Sequence, residues 1–202
     1  MAYEQWLSNG DVKVEVDGSG TIKFTLDTQT VYFTGTGIYA DINIIADITV
    51  TDSPIDYIDI TGLDGNNAVW YRMYLNILCK IDPHGDYLIY VNGDYTDTNY
   101  YMQYLTATDT TVASERLNRP SACFAWLNEG AMFVIDITKT ISGYFKVISH
   151  TNRRAGSNTD YMARNIVKTN TINNITSLRI ASSSAGGIGI GSRIILTSLK
   201  GV

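Results

Sequence analysis

The stretch Gly186-Gly187-Ile188-Gly189-Ile190-Gly191-Ser192-Arg193-Ile194-Ile195-Leu196-Thr197-Ser198-Leu199-Lys200 decides the fold. Its glycines reach positive φ and tolerate close backbone approach, so they read as a turn. Beyond them Ile194 and Leu196 fall on one face of a strand, and Arg193 and Thr197 on the other. A strand at the end of a chain frays unless it is paired. The expectation is therefore a strand held in the middle of its own sheet.

The same alternation recurs upstream. Val12, Val14 and Val16 alternate with Lys13, Glu15 and Asp17, and Ile22, Phe24 and Leu26 with Lys23, Thr25 and Asp27. Asp17-Gly18-Ser19-Gly20 between them predicts a hairpin. Val31-Tyr32-Phe33 adds a short strand, and Ile42, Ile44, Ala46, Ile48 and Val50 a longer one. Met73, Leu75, Ile77, Cys79 and Ile81 are predicted to face the core, with Arg72, Tyr74, Asn76 and Lys80 mostly on the other side. Further strands are predicted at 57–63, 87–91, 122–126, 132–137, 144–149, 163–168 and 175–180. The polar residues 106–119 read as a long loop with one helical turn at 113–117, and Arg153-Arg154 as a solvated turn. No segment sustains a 3.6-residue period. Short strands between Gly, Asn and Asp turns predict an all-β protein, an antiparallel sandwich. The boundary is placed at Thr51-Asp52-Ser53-Pro54. Residues 1–50 then form a small N-terminal β module and residues 51–202 the main sandwich.

Composition narrows the function. The 202 residues carry a net charge of −5, which disfavours a nucleic-acid-binding face. No apolar run is long enough for a membrane span. The first residues, Met1-Ala2-Tyr3-Glu4-Gln5-Trp6, lack the features of a signal peptide, so synthesis in the cytoplasm is expected. The two cysteines, Cys79 and Cys123, sit among apolar neighbours and read as buried free thiols. Tyrosine, at 14 residues, is abundant enough to make aromatic contact surfaces the first candidates for binding.

Residues 57–202 resemble jelly-roll-like virion proteins of tailed bacteriophages. The resemblance rests on Tyr57-Ile58-Asp59-Ile60, the strand from Tyr71 to Ile81, Tyr87-Leu88-Ile89-Tyr90-Val91-Asn92-Gly93-Asp94, and Tyr100-Tyr101. It continues through Phe133-Val134-Ile135-Asp136-Ile137, Lys146-Val147-Ile148-Ser149, Ile175-Thr176-Ser177-Leu178-Arg179-Ile180 and Gly191-Ser192-Arg193-Ile194-Ile195-Leu196. It implies a non-enzymatic structural protein, exposed on the virion as a capsid decoration, fibre or tail component. Its partners would be other virion proteins and further copies of itself, expected as a trimer. The alternative is a receptor-binding module for host surface glycan. Residues 1–50 have no counterpart in this resemblance and are assigned to attachment.

The chemical motifs are sparse. There is no Gly-x-Ser-x-Gly elbow, phosphate loop or His-Glu-x-x-His, so no catalytic residue, metal ligand or cofactor is assigned. Asp82, His84 and Asp86 surround Pro83 and Gly85 as in a hairpin turn. Asn92-Gly93-Asp94 reads as a turn or as part of a sugar site. The binding candidates are Trp70, Tyr71, Tyr95, Tyr100, Tyr101 and Tyr104, with Asn92 and Asp94 beside them. Aromatic planes stack on sugar rings and serve equally in subunit contacts, and both uses stay open here. Trp126 is expected to be buried.

Overall fold

In the computed structural model the described residues are 3–7, 12–16, 22–26, 29–33, 42–82, 84–108, 111–128, 130–155 and 158–200. The chain divides into two units that part between Ile42 and Asn43. The first unit holds β1 (Tyr3–Leu7), β2 (Val12–Val16), β3 (Ile22–Leu26) and β4 (Gln29–Phe33), hydrogen-bonded in chain order as an antiparallel sheet. The turn at residues 17–20 lies outside the described residues.

The second unit begins with β5 (Ile42–Thr49), β6 (Tyr57–Thr61), β7 (Ala68–Leu78), β8 (His84–Val91), β9 (Tyr100–Thr108) and β10 (Thr111–Leu117). It continues with β11 (Ser121–Trp126), β12 (Gly130–Lys139), β13 (Tyr144–Ala155), β14 (Asn158–Thr171), β15 (Ser177–Ser182) and β16 (Arg193–Lys200). They form an eight-stranded sheet in the order β10-β9-β14-β13-β12-β7-β16-β5 and a four-stranded sheet in the order β11-β8-β15-β6. The unit is all-β, and the two antiparallel sheets pack as a sandwich. Among the described residues the one helical element is a single 3-10 turn, Asp97–Asn99, and no helix is long and apolar enough to cross a membrane.

β16 lies inside the large sheet, between β7 and β5, as its alternation requires. Ile194 and Leu196 are fully buried, and Arg193 points out to an ion pair with Asp47. The glycines before it are needed for close approach. A Cβ on Gly189 would lie 2.7 Å from the Leu78 carbonyl oxygen, and Gly191 has φ +89°. Ser192 Oγ then accepts from the Leu78 amide at 3.0 Å, fixing the turn to the end of β7.

Met73, Leu75 and Ile77 on β7 and Phe133, Ile135 and Ile137 on β12 face Tyr87 and Ile89 on β8 and Leu178 and Ile180 on β15. Burying each such side chain contributes about 1.5–3 kcal/mol. Cys79 and Cys123 are free and buried in the same core, and burial pushes the Cys123 thiol well above its ordinary pKa.

Three segments depart from the sequence reading. Ile42–Thr49, read as part of the N-terminal module, is the edge strand beside β16, and Val50 behind it is buried. Residues 106–119, read as loop with a helical turn, are mostly hairpin: Thr111–Leu117 pairs in register with Met102–Thr108. The strand went unread because its side chains are exposed on both faces, Leu117 excepted, so alternation has no apolar side. Arg153 and Arg154, read as a solvated turn, lie within β13, opposite Asp160 and Thr159 of β14.

Candidate functional site

The eight candidate residues do not form one site. Tyr71 and Tyr100 are core side chains. The Tyr100 hydroxyl donates to the Asp94 carbonyl at 2.8 Å and accepts from the Val91 amide at 3.2 Å, and burial raises its pKa. Asn92 has φ +54° and closes a turn. Its Oδ1 accepts from the Thr176 amide at 2.8 Å, and its Nδ2 donates to the Asn174 carbonyl at 2.6 Å. Asp94 accepts from Asn99, the Thr96 amide and Lys168, the last at 2.5 Å. Burial alone would raise its carboxyl, but these donors outweigh it and hold the pKa below the ordinary value.

Trp70 and Tyr101 lie on the outer face of the large sheet. The Arg72 guanidinium sits 4.9 Å from the Trp70 ring centre while forking onto Asp136 at 2.7 and 2.9 Å. Trp70, Ile148 and Val167 line a mostly apolar trough of about 620 Å³ there. Tyr95 lies against the small sheet. Arg179 of β15 is stacked between Tyr57 at 3.7 Å and Tyr95 at 4.0 Å, and forks onto Asp59 with both bonds at 2.6 Å.

Tyr104 belongs to a different place, a polar cleft of about 310 Å³. It exists because the sheets differ in width. β11, the edge of the small sheet, packs against β12, β13 and β14, so the β9–β10 hairpin projects past it. Inward positions that would meet a second layer instead meet the flank of β11. Arg164 of β14 is one of them. Its guanidinium is buried, bonds Ser121 Oγ and lies 3.3 Å from Asp86. It also sits 5.3 Å from the Phe124 ring centre and 5.9 Å from that of Tyr104. Asp86 is further paired with Arg119 and accepts from Ser121 Oγ at 2.8 Å. The Tyr104 hydroxyl donates to Glu115 at 2.8 Å, and that bond raises its pKa. His84 stands edge-on to Phe124 and Trp126 at 5.9 and 5.0 Å. Trp126 itself is partly exposed.

Two arginines and two carboxylates leave the cleft electrically balanced. It offers aromatic faces, the free edge of Glu115 and the buried Arg119 Nε, which has no hydrogen-bond partner. Such a set suits a neutral, hydroxyl-rich ligand better than an ion. Among the described residues no group of three or more His, Cys, Asp or Glu could hold a metal ion.

Sequence reading missed Arg164, Arg119, Asp86 as a partner, and the Tyr57–Arg179–Tyr95 stack. Arg164 and Ser121 are 43 positions apart, beyond any local pattern. One signal was available. Met162, Arg164, Ile166 and Lys168 share one face of a strand, and two cations on an inward face demand buried partners. No protein-family model matches this chain, and no curated protein matches it either.

Proposed function

We propose that this chain is a non-enzymatic structural protein of a bacteriophage virion, exposed as a capsid decoration, fibre or tail component, and that its second unit is a jelly roll. One observation carries the reading. β5 neighbours β16, β6 neighbours β15, β7 neighbours β12 and β8 neighbours β11. These pairs are nested in the chain, as in one long hairpin rolled so that successive pairs alternate between two sheets. A jelly roll is wound in this way, and viral capsid and lectin domains use it. The β9–β10 hairpin and the β13–β14 pair are insertions that widen one sheet.

Fold alone does not fix function, and the surface adds support. Tyr74, Met132, Ile148, Tyr161, Tyr101 and Leu105 are all exposed on the outer face of the large sheet. Large exposed apolar side chains gathered on one face mark interaction sites. On this reading that face meets neighbouring virion proteins, the N-terminal module supplies attachment, and many weak contacts on a symmetric particle add through avidity. The protein is made in the host cytoplasm and ends on the virion. Immunogold microscopy of particles purified from a producing culture tests this. Label at one fixed position on the particle is expected, whereas protein confined to the soluble fraction overturns the reading.

The Tyr104–Arg164 cleft favours a second reading, a receptor module for host glycan. Titration with galactose, glucose, rhamnose and N-acetylglucosamine separates the two. Binding that is lost on Tyr104→Ala, with the fold intact, supports the receptor reading.

A further inference from the structure

We infer that β10 pairs with β10 of a second copy across a two-fold axis, so that the large sheets of two molecules join into one. The second unit has four sheet edges, β10 and β5 in the large sheet and β11 and β6 in the small one. β6 is five residues long with Asp59 at its centre. β11 is bulged between Ser121 and Cys123, and its Ala122 carbonyl already accepts from Ser149 Oγ. β5 is the edge beside β16. β10 has neither the shortness of β6 nor the bulge of β11. It is seven residues long, TVASERL, without proline, lysine or a bulge. Edges of that kind recruit further strands.

Its two charged side chains are each held by a tyrosine of β9. Glu115 is drawn to the inner face by the Tyr104 hydroxyl at 2.8 Å. Arg116 is laid on the outer face over Tyr101, 4.4 Å from the ring centre. Both charges are tied to the faces of the sheet, which leaves the edge backbone open among the described residues.

The strand is also compatible with itself. A two-fold axis normal to the sheet keeps the outer face outward, so paired residues must share a face and the axis must pass between one residue and the same residue of the second copy. Centred on Ser114, all seven residues pair: Thr111 with Leu117, Val112 with Arg116, Ala113 with Glu115. Centring on Glu115 sets two carboxylates opposite each other, which is destabilising, and centring on Ala113 pairs fewer residues. The Ser114 register also joins the outer faces of the two large sheets, so that the exposed Tyr101 and Leu105 of both copies lie on one surface. Self-pairing of a single edge closes at two copies, in contrast to the trimer expected from sequence.

The experiment is sedimentation velocity on the full chain, with Ser114→Cys and Ser114→Lys variants. The expected mass is that of two 22.3 kDa chains. Mild oxidation of Ser114→Cys is expected to give a covalent dimer, since the native cysteines are buried. Ser114→Lys, a surface change that leaves the circular dichroism spectrum intact, is expected to weaken pairing about tenfold or more by setting like charges opposite each other. A monomer at the highest soluble concentration overturns the inference. So does a three-copy mass, or a dimer that neither cross-links through Ser114→Cys nor weakens in Ser114→Lys. None of these results bears on whether the protein is found on particles.

Discussion

Two halves of the large sheet obey different rules. In the half formed by β5, β16, β7 and β12, the central inward positions are apolar: Met73, Leu75, Ile77, Phe133, Ile135, Ile137, Ile194 and Leu196, with Tyr71 and Ser198 paired towards one end. In the half formed by β13, β14, β9 and β10, the inward positions include Ser149, Thr151, Arg164, Lys168 and Tyr104. The first half is fully backed by the small sheet. The second outruns it, and its inward face is closed by ion pairs instead. Arg164 and Lys168 of β14 meet Asp86 and Asp94, which lie on β8 and just beyond it. A sheet therefore changes polarity along its width where its backing layer ends, and the exposed seam becomes the cleft.

The largest effect is expected at the apolar centre. Phe133→Ala removes a fully buried ring between β7 and β13 and is expected to cost about 3–5 kcal/mol, read as a lower urea midpoint with unchanged slope. A loss under about 1 kcal/mol, as at an ordinary surface site, would deny that β12 is core. Next comes the seam. Asp86→Ala strands the Arg164 charge in a buried setting and is expected to cost about 3 kcal/mol. The double variant Asp86→Ala/Arg164→Met removes both charges and is expected to recover most of that loss. If the double variant is as unstable as the single one, the pair is not what closes the seam.

Legibility in the sequence followed the same division. The backed half was readable because burial on one face imposes alternation, so the facing of Met73 through Cys79 and of Ile194 and Leu196 followed from period alone. The overhanging half was only partly readable. β10 has no buried face to betray it, and Arg164 finds Asp86 at a separation of 78 residues. The aromatic candidates failed to converge for a related reason. Tyr100 and Tyr101 are adjacent in sequence and therefore point to opposite faces of β9, one into the core and one outward. The nested strand pairs, which carry the functional reading, are a property of the whole chain and leave no local mark.

The other edge of the large sheet, β5, begins at the unit boundary. A chain of residues 43–202 keeps β5 beside β16 and is expected to fold as the parent does. A chain of residues 52–202 loses the buried Val50 and its backbone bonds with Ser192 and Gly191. Its stability is expected to fall by about 2 kcal/mol relative to the longer piece. The Asp47–Arg193 pair is exposed and adds little to the difference. Equal urea midpoints for the two pieces would show that β5 is dispensable.

The smallest effect tests the second ion pair of the seam. Burial would raise the Asp94 carboxyl, but Lys168, Asn99 and the Thr96 amide hold its native pKa below the ordinary value. The unfolded chain therefore binds this proton more readily than the native one. The stabilisation it brings is present above about pH 4, the ordinary carboxylate range, and is lost as pH falls through the lower native value. Asp94→Asn keeps the shape and removes the titration. It is expected to lower stability at neutral pH by less than Asp86→Ala does, because Lys168 retains an amide oxygen to donate to. It is also expected to flatten the acid limb of the stability profile, so that variant and parent converge at the lowest pH where both still fold. Urea midpoints measured from neutral pH downward read this directly. A constant offset between the two curves at every pH would mean that Asp94 acts through packing, and that Arg164 with Asp86 is the sole electrostatic closure of the overhanging half.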